Sequence, residues 1–457
     1  MTKKINNNKN KNIRDFALDI IINVMENGAY SDKALHNVLD SGTITEKRDR
    51  AFLSRLCEGT VERVILLDYI IDCFSSVKAH KMKPVIRNVM RMSVYQIFYM
   101  EQVIDAAACN EAVKLTIKRG FKGLSGFVNG VLRNIIRKKD SIIYPSITDG
   151  FNKYASIKYS MPEWIVEELR TEYGKEIAEK ILKSFLSENK CICVRCNLSK
   201  ASTIKIEEML KADGVTVNRG NFFDYALNIS DYNKITELKA FKDGFIQVQD
   251  ESSMLTVAIS RIKENDTVID ICAAPGGKTL QASDVLNGTG LVISCDISES
   301  KIKFIHENIK RAGFKNIDIY KNNALIYKDD WREIADVVIA DLPCSGLGVM
   351  GRKCDIKYKT KPSDIDDLTT IQREMLKIAS QYVKLGGRLI YSTCTITQAE
   401  NIENFEWIKN NLPFKSESIE ELLPEKLKGK TGKNGFIQVL PHMAGTDGYF
   451  AASFVKY

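Results

Sequence analysis

From about residue 249 to Tyr457, short apolar runs of strand length alternate with longer stretches of helical period. That order leaves little room for anything but a doubly wound, mostly parallel sheet. Strands are expected near 267–272, 291–295, 317–320, 336–340, 388–392, 436–440 and 449–456, the last two forming an antiparallel edge because no helix separates them. A strand buried on both faces reads as a nearly continuous apolar run, as in Ala335-Asp-Val-Val-Ile-Ala and Gly387-Arg-Leu-Ile-Tyr. A cysteine follows each of these two runs: Cys344 in Asp341-Leu-Pro-Cys-Ser-Gly and Cys394 in Tyr391-Ser-Thr-Cys-Thr. Both thiols therefore lie beyond carboxyl ends of strands, where open α/β sheets bind ligands.

The run Asp266-Thr-Val-Ile-Asp-Ile-Cys-Ala-Ala-Pro-Gly-Gly-Lys-Thr reads as a strand, a small-residue loop and a helix beginning near Thr279. Gly276 and Gly277 let backbone approach a ligand closely. Asp296, twenty residues after Gly276, ends the next strand, from which a carboxylate can accept two hydrogen bonds from a ribose diol. The loop lacks both the Gly-x-Gly-x-x-Gly dinucleotide pattern and a phosphate-cradling Gly-Lys-Ser/Thr turn, so S-adenosylmethionine (SAM) fits better than NAD or a nucleoside triphosphate. In bland terms, Asp296 caps the following helix and Lys278 is a solvated first-turn residue. A lysine at a helix start opposes the dipole, and a carboxylate ligand explains it better.

Upstream, helical spacing runs from about 13 to 140 with very few Pro or Gly interruptions, giving an all-α domain preceded by a polar tail, residues 1–12, expected to be disordered. Its last stretch carries Lys114, Lys118, Arg119, Lys122, Arg133, Arg137, Lys138 and Lys139 with no acidic residue between them, a footprint suited to phosphates or simply a solvated face. Residues 141–160 read as a linker and 161–248 as a small α+β module. Within it, Cys191, Cys193 and Cys196 suggest a metal, but strand alternation puts Cys196 on the face opposite the other two, so buried structural cysteines are expected and no metal. Eleven cysteines in 457 residues suggest reduced thiols and a cytoplasmic protein, no run approaches the ~18 apolar residues of a membrane span, and the formal charge of +8 is modest. A monomer is the simplest expectation.

C5 of cytosine is a weak nucleophile, so placing a methyl group there requires activation. A thiolate adding at C6 makes C5 enamine-like; C5 then attacks a sulfonium methyl, a base removes the C5 proton, and elimination frees the thiol. Cys394 and Cys344 can divide attack and release, while Asp341 can hold the base by its amidine edge.

Taken together, Asp270-Ile-Cys-Ala-Ala-Pro-Gly-Gly-Lys-Thr, Asp341-Leu-Pro-Cys-Ser-Gly-Leu-Gly-Val and Tyr391-Ser-Thr-Cys-Thr resemble the three site motifs of the Sun/RsmB family of bacterial 16S rRNA cytosine-5 methyltransferases. Val248-Gln-Asp-Glu-Ser-Ser and Gly445-Thr-Asp-Gly-Tyr-Phe-Ala-Ala are similar to further family elements, and Phe127-Val-Asn-Gly-Val-Leu-Arg-Asn resembles the family's amino-terminal NusB-like RNA-binding domain. The resemblance covers nearly the whole chain. It implies a NusB-like all-α domain, a small α+β middle domain and a Rossmann-like SAM-dependent methyltransferase domain at 249–457. It further implies Cys394 as nucleophile, Cys344 in release, and Asp341 between cofactor and base. Cys272, Ala273, Ala274, Pro275, Gly276, Gly277, Lys278, Asp296 and Asn323 would surround SAM, with cytosine 967 of 16S rRNA as target and neither membrane nor DNA as partner. Two positions depart from the family pattern: Asn323 replaces an aspartate that reaches the adenosine, and Asp105 replaces a proline. A tRNA cytosine-5 methyltransferase and a noncatalytic RNA-binding assembly factor are the alternatives; the NusB-like segment argues against the first and retention of both cysteines against the second. A nucleotide-dependent oxidoreductase ranks last, since its fingerprint is absent.

Overall fold

Whether the apolar periodicities become elements is answered by a computed structural model, which describes residues 12–186, 191–443 and 445–457. Of the tail expected at 1–12, only Asn12 falls among the described residues; its side chain accepts from the Asp15 backbone amide and caps the helix Ile13–Asn27. The chain divides into two compact units, Met1–Leu186 with Met350–Thr360, and Ser187–Val349 with Lys361–Tyr457.

The first unit is helical. Its pattern is plain in Ser125–Lys138, where Val128, Val131, Leu132 and Ile135 are buried at helical spacing while Arg133 and Arg137 stay exposed. Half of the basic run is self-paired: Lys114 meets Glu111 at 2.8 Å, Lys118 meets Asp15 at 2.8 Å, Arg119 meets Asp19 at 2.6 Å and Lys139 meets Asp105 at 3.5 Å. The absence of acids within the run hid acids supplied from elsewhere in the fold. Asp105 opens the helix Asp105–Lys118, where its charge complements the helix N-terminus. Within the expected linker, Phe151–Lys158 forms a helix that buries Phe151 and Ala155. Segment Met350–Thr360 also belongs to this unit: Lys357, 3% exposed, donates to the Glu62 carbonyl at 2.7 Å, and Ser31 donates to Asp355 at 2.5 Å. The chain thus leaves the second unit directly after the Cys344 loop and returns eleven residues later.

The second unit holds two sheets. The smaller is antiparallel, in the order β2-β3-β1-β4, with β1 Ile192–Cys196, β2 Thr216–Arg219, β3 Ala226–Ser230 and β4 Ile246–Val248. Cys193 and Cys196 pack into different apolar clusters, as their opposite parity requires. The larger comprises β5 Thr267–Asp270, β6 Leu291–Asp296, β7 Ile317–Lys321, β8 Ala335–Asp341, β9 Val383–Thr393, β10 Phe414–Ser416, β11 Phe436–Val439 and β12 Tyr449–Lys456. Its order is β10-β12-β9-β8-β5-β6-β7, with β11 pairing β12. β5 to β9 are parallel, and β12 is antiparallel to β9. β11 and β12 do pair antiparallel, but β12 lies inside the sheet and β10 is at its end. Burial explains this: Tyr449 through Phe454 are all buried, a pattern of an interior strand. Among the described residues no helix is long and apolar enough to cross a membrane.

Candidate functional site

Parallel pairing of β8 and β9 sets Asp341 opposite Ser392, so the two cysteine loops leave the sheet side by side. Cys344 and Cys394 meet with their sulfurs 3.2 Å apart. The loops are pinned where Gly348 donates its N–H to the Cys394 carbonyl at 3.1 Å and accepts from the Gly448 amide at 2.9 Å. A Cβ on Gly348 would lie 2.2 Å from the Gly448 oxygen, so only glycine allows this crossing. The Ser-Gly-Leu-Gly and Thr-Asp-Gly-Tyr motifs are thus two sides of one contact.

Asp341 ends β8 with its side chain 26% exposed and three donors around it. Lys278 reaches Oδ2 at 2.6 Å, while the Ser392 hydroxyl and the Tyr449 phenol donate to Oδ1 at 2.9 and 3.0 Å. Lys278 had been expected to face a ligand's carboxylate; the carboxylate it meets is Asp341. Burial opposes its charge, but Asp341 and Tyr449 outweigh that and raise the Lys278 pKa above the lysine range. The Tyr449 pKa is raised by burial and then by the Asp341 charge, so Tyr449 stays a donor; Thr256 lies 2.7 Å from its hydroxyl. The Cys344 thiol is also pushed well up, first by its hydrogen bond to Cys394, then by burial and the charges of Cys394, Glu400 and Asp341. Motif reading missed Ser392 and Tyr449 as holders of Asp341 and missed the buried Glu400, which accepts from the Ser345 amide at 2.8 Å.

At the ends of β5 and β6, Gly276 takes φ +100° and caps the helix Gly277–Val285. The Ala273 amide donates to the Cys295 carbonyl at 2.8 Å, and the Pro275 carbonyl accepts from Asn308 at 2.9 Å, so the loop is fixed from both sides. Cys272 is half-buried and its thiol is pushed up by burial. Asp296, 4% exposed, accepts from the amides of Ser298 at 3.1 Å and Ala274 at 3.4 Å, and Lys301 lies 3.6 Å away. Asn323 follows β7 and accepts from the Leu325 amide at 3.0 Å. Buried Asp270 accepts from Thr279 at 2.8 Å on one oxygen, while its Oδ1 has no partner among the described residues; burial raises its pKa to about 7. A nearly buried carboxylate, Asp296, beside a glycine loop fits a ligand carrying a hydroxyl pair.

A relative from Bacillus subtilis (strain 168), "Probable ribosomal RNA small subunit methyltransferase B", is 37% identical over 98% of this chain and 99% of its own length. The chain belongs to this methyltransferase family. The family models described as "16S rRNA methyltransferase RsmB/F", "NusB family" and "Methyltr_RsmF/B-like, ferredoxin-like domain" match residues 257–455, 11–137 and 161–236. An RsmB relative in Synechocystis sp. (strain ATCC 27184 / PCC 6803 / Kazusa) is 29% identical over 97% of this chain and 99% of its own. The solved structure titled "Crystal Structure of PH0851" shares the fold at TM-score 0.81, 24% identity, 96% of this chain and 98% of that one. NSun6 from Pyrococcus horikoshii with SFG shares it at TM-score 0.58 and 24% identity, covering 65% of this chain and 98% of that one. As an RsmB/F member the protein is a SAM-dependent methyltransferase acting on ribosomal RNA.

Proposed function

We propose that the protein methylates C5 of one cytosine in 16S rRNA, with Cys394 as covalent nucleophile and Cys344 as the group that permits release. The observation that carries this reading is the 3.2 Å separation of two sulfurs at the ends of adjacent parallel strands, beside Asp341. Cys272 to Gly277 and Asp296 hold the cofactor, Asp296 at the ribose diol and Asn323 toward the adenosine, while Lys278, at the end of the same loop, holds Asp341. Bound there, SAM supplies an electrophilic methyl.

In this reading Cys344, whose thiol is pushed well up, keeps its proton and faces Cys394 as an S–H donor, leaving Cys394 to attack. The Cys394 sulfur bonds to C6 of the flipped cytosine, the C5–C6 π pair moves onto C5, and C5 takes the methyl. A base carries off the C5 proton, the C5–C6 bond becomes double again, and the C6–S pair returns to Cys394 as thiolate. Release is the step Cys344 serves, because its S–H stabilises the departing thiolate. Asp341, although held by three donors, keeps lone pairs for the exocyclic amine of the base. The protein acts as a cytoplasmic monomer on rRNA, not DNA, and the resemblance points to cytosine 967.

Transfer of labelled methyl from SAM to unmodified 16S rRNA and to tRNA, followed by mapping of the modified base, tests the reading. Label at C5 of a single 16S cytosine is expected; label in tRNA alone, or at a ring atom other than C5, overturns it.

A further inference from the structure

Four donors converge on one carboxylate behind the two thiols. Glu400 is fully buried and no cation pairs with it among the described residues. Its Oε1 accepts from the Ser345 amide at 2.8 Å and from Gln372 Nε2 at 3.1 Å; its Oε2 accepts from the Ser345 hydroxyl at 2.5 Å and the Thr397 hydroxyl at 2.8 Å. Gln372 also donates to the Pro343 carbonyl at 2.9 Å, so Cys344 is bracketed on both sides. On the other loop, Asn401 accepts from the Thr393 hydroxyl at 2.5 Å and donates to the Thr395 carbonyl at 3.1 Å, which brackets Cys394. Ser345 and Thr395 close the bridge, their hydroxyls 2.7 Å apart.

We propose that Glu400 is a positioning residue whose buried carboxylate ties the Cys344 loop to the Cys394 loop and fixes which sulfur attacks and which assists release. This rests on the two-thiol reading above. A neutral group of the same shape could satisfy much of the network, whereas burying a carboxylate is costly unless it is held by several donors, as Glu400 is. The charge lies on the side of Cys344, bonded to the amide of the next residue. The groups facing Cys344 are Cys394, Glu400 and Asp341, with Lys278 paired to Asp341, and the Tyr391 phenol; Glu400 adds to the forces that keep Cys344 protonated.

Glu400→Gln is the test, because the amide keeps the shape and the two hydroxyls at Oε2 can rotate to accept from it. Alkylation of each cysteine by iodoacetamide, followed against pH by peptide mass spectrometry without RNA, reports the thiol pair directly. In Glu400→Gln the Cys344 profile is expected to move to lower pH, kcat to fall by about 10²-fold and KM for SAM to hold. Glu400→Asp, which keeps the charge, is expected to restore the alkylation profile. An unchanged Cys344 profile in a folded Glu400→Gln protein overturns the proposal, whether kcat falls or not, and leaves Glu400 a structural brace. If the wild type transfers no methyl to rRNA, the two-thiol reading fails instead, and the alkylation profiles still decide the role of Glu400.

Discussion

The two rims of the large sheet are built on different terms. At the ends of β5, β6 and β7, polar side chains lean on their own neighbourhood, as Asp296 does on Ser298 and Asn323 on Leu325, and Ile297 and Ile326 are 58% and 60% exposed. At the ends of β8 and β9, Ser345, Thr395, Thr397, Glu400 and Asn401 are all buried, and Ser345 bonds across to Glu400 and Thr395, up to 55 residues away in sequence. On the proposed reading, the first rim takes the cofactor and the second holds the reacting groups in one geometry before substrate arrives. Damage at the thiol rim should therefore act on kcat, and damage at the glycine-loop rim on KM.

Lys278 is the sharpest probe, because it starts from the glycine loop and ends on Asp341. Lys278→Met is expected to lower kcat by ~10²-fold with little change in KM for SAM, as steady-state kinetics would report. A change confined to KM would assign Lys278 to the cofactor and dissolve the division. Asp296→Ala should do the reverse, raising KM for SAM by ~10-fold or more with kcat nearly held, since hydrogen bonds to a charged acceptor are lost. Equilibrium dialysis with labelled SAM checks it.

Asp270 gives a stability signature for the same rim. Burial raises its folded pKa to about 7, so the unfolded chain gives up this proton at lower pH than the folded one. The stability it contributes is complete below its ordinary value near 4 and is lost as pH rises through about 7. Tm should fall across that window, and Asp270→Asn should flatten the fall; a wild-type Tm that rises there in parallel with the variant contradicts the assignment. The smallest expected effect is Asn323→Asp, which introduces a charge where the proposed reading sets the adenosine and should tighten SAM by at most ~10-fold, read by calorimetry.

Much of this was legible in the chain because strand ends are marked twice, by the end of an apolar run and by the small or reactive residue that follows. Cys344 and Cys394 are of that kind. β10 escaped because Phe414-Lys-Ser is too short to show a period, and the edge was misassigned because β12 is buried on both faces. The helix Phe151–Lys158 was hidden by Pro145 and Gly150, which punctuate only its approach. Glu400, Ser392 and Tyr449 were invisible as partners for another reason: a buried polar network has no periodicity, and its members meet only after β8, β9 and β12 are laid side by side.

The central claim is the division of labour between two sulfurs, and Cys344→Ala tests it most directly. Incubated with 16S rRNA and labelled SAM and run on a denaturing gel, this variant should accumulate a methylated protein–RNA adduct through Cys394, while Cys394→Ala and the double variant should show none. Adduct formed by Cys394→Ala, or free methylated rRNA released by Cys344→Ala at the wild-type rate, would contradict it.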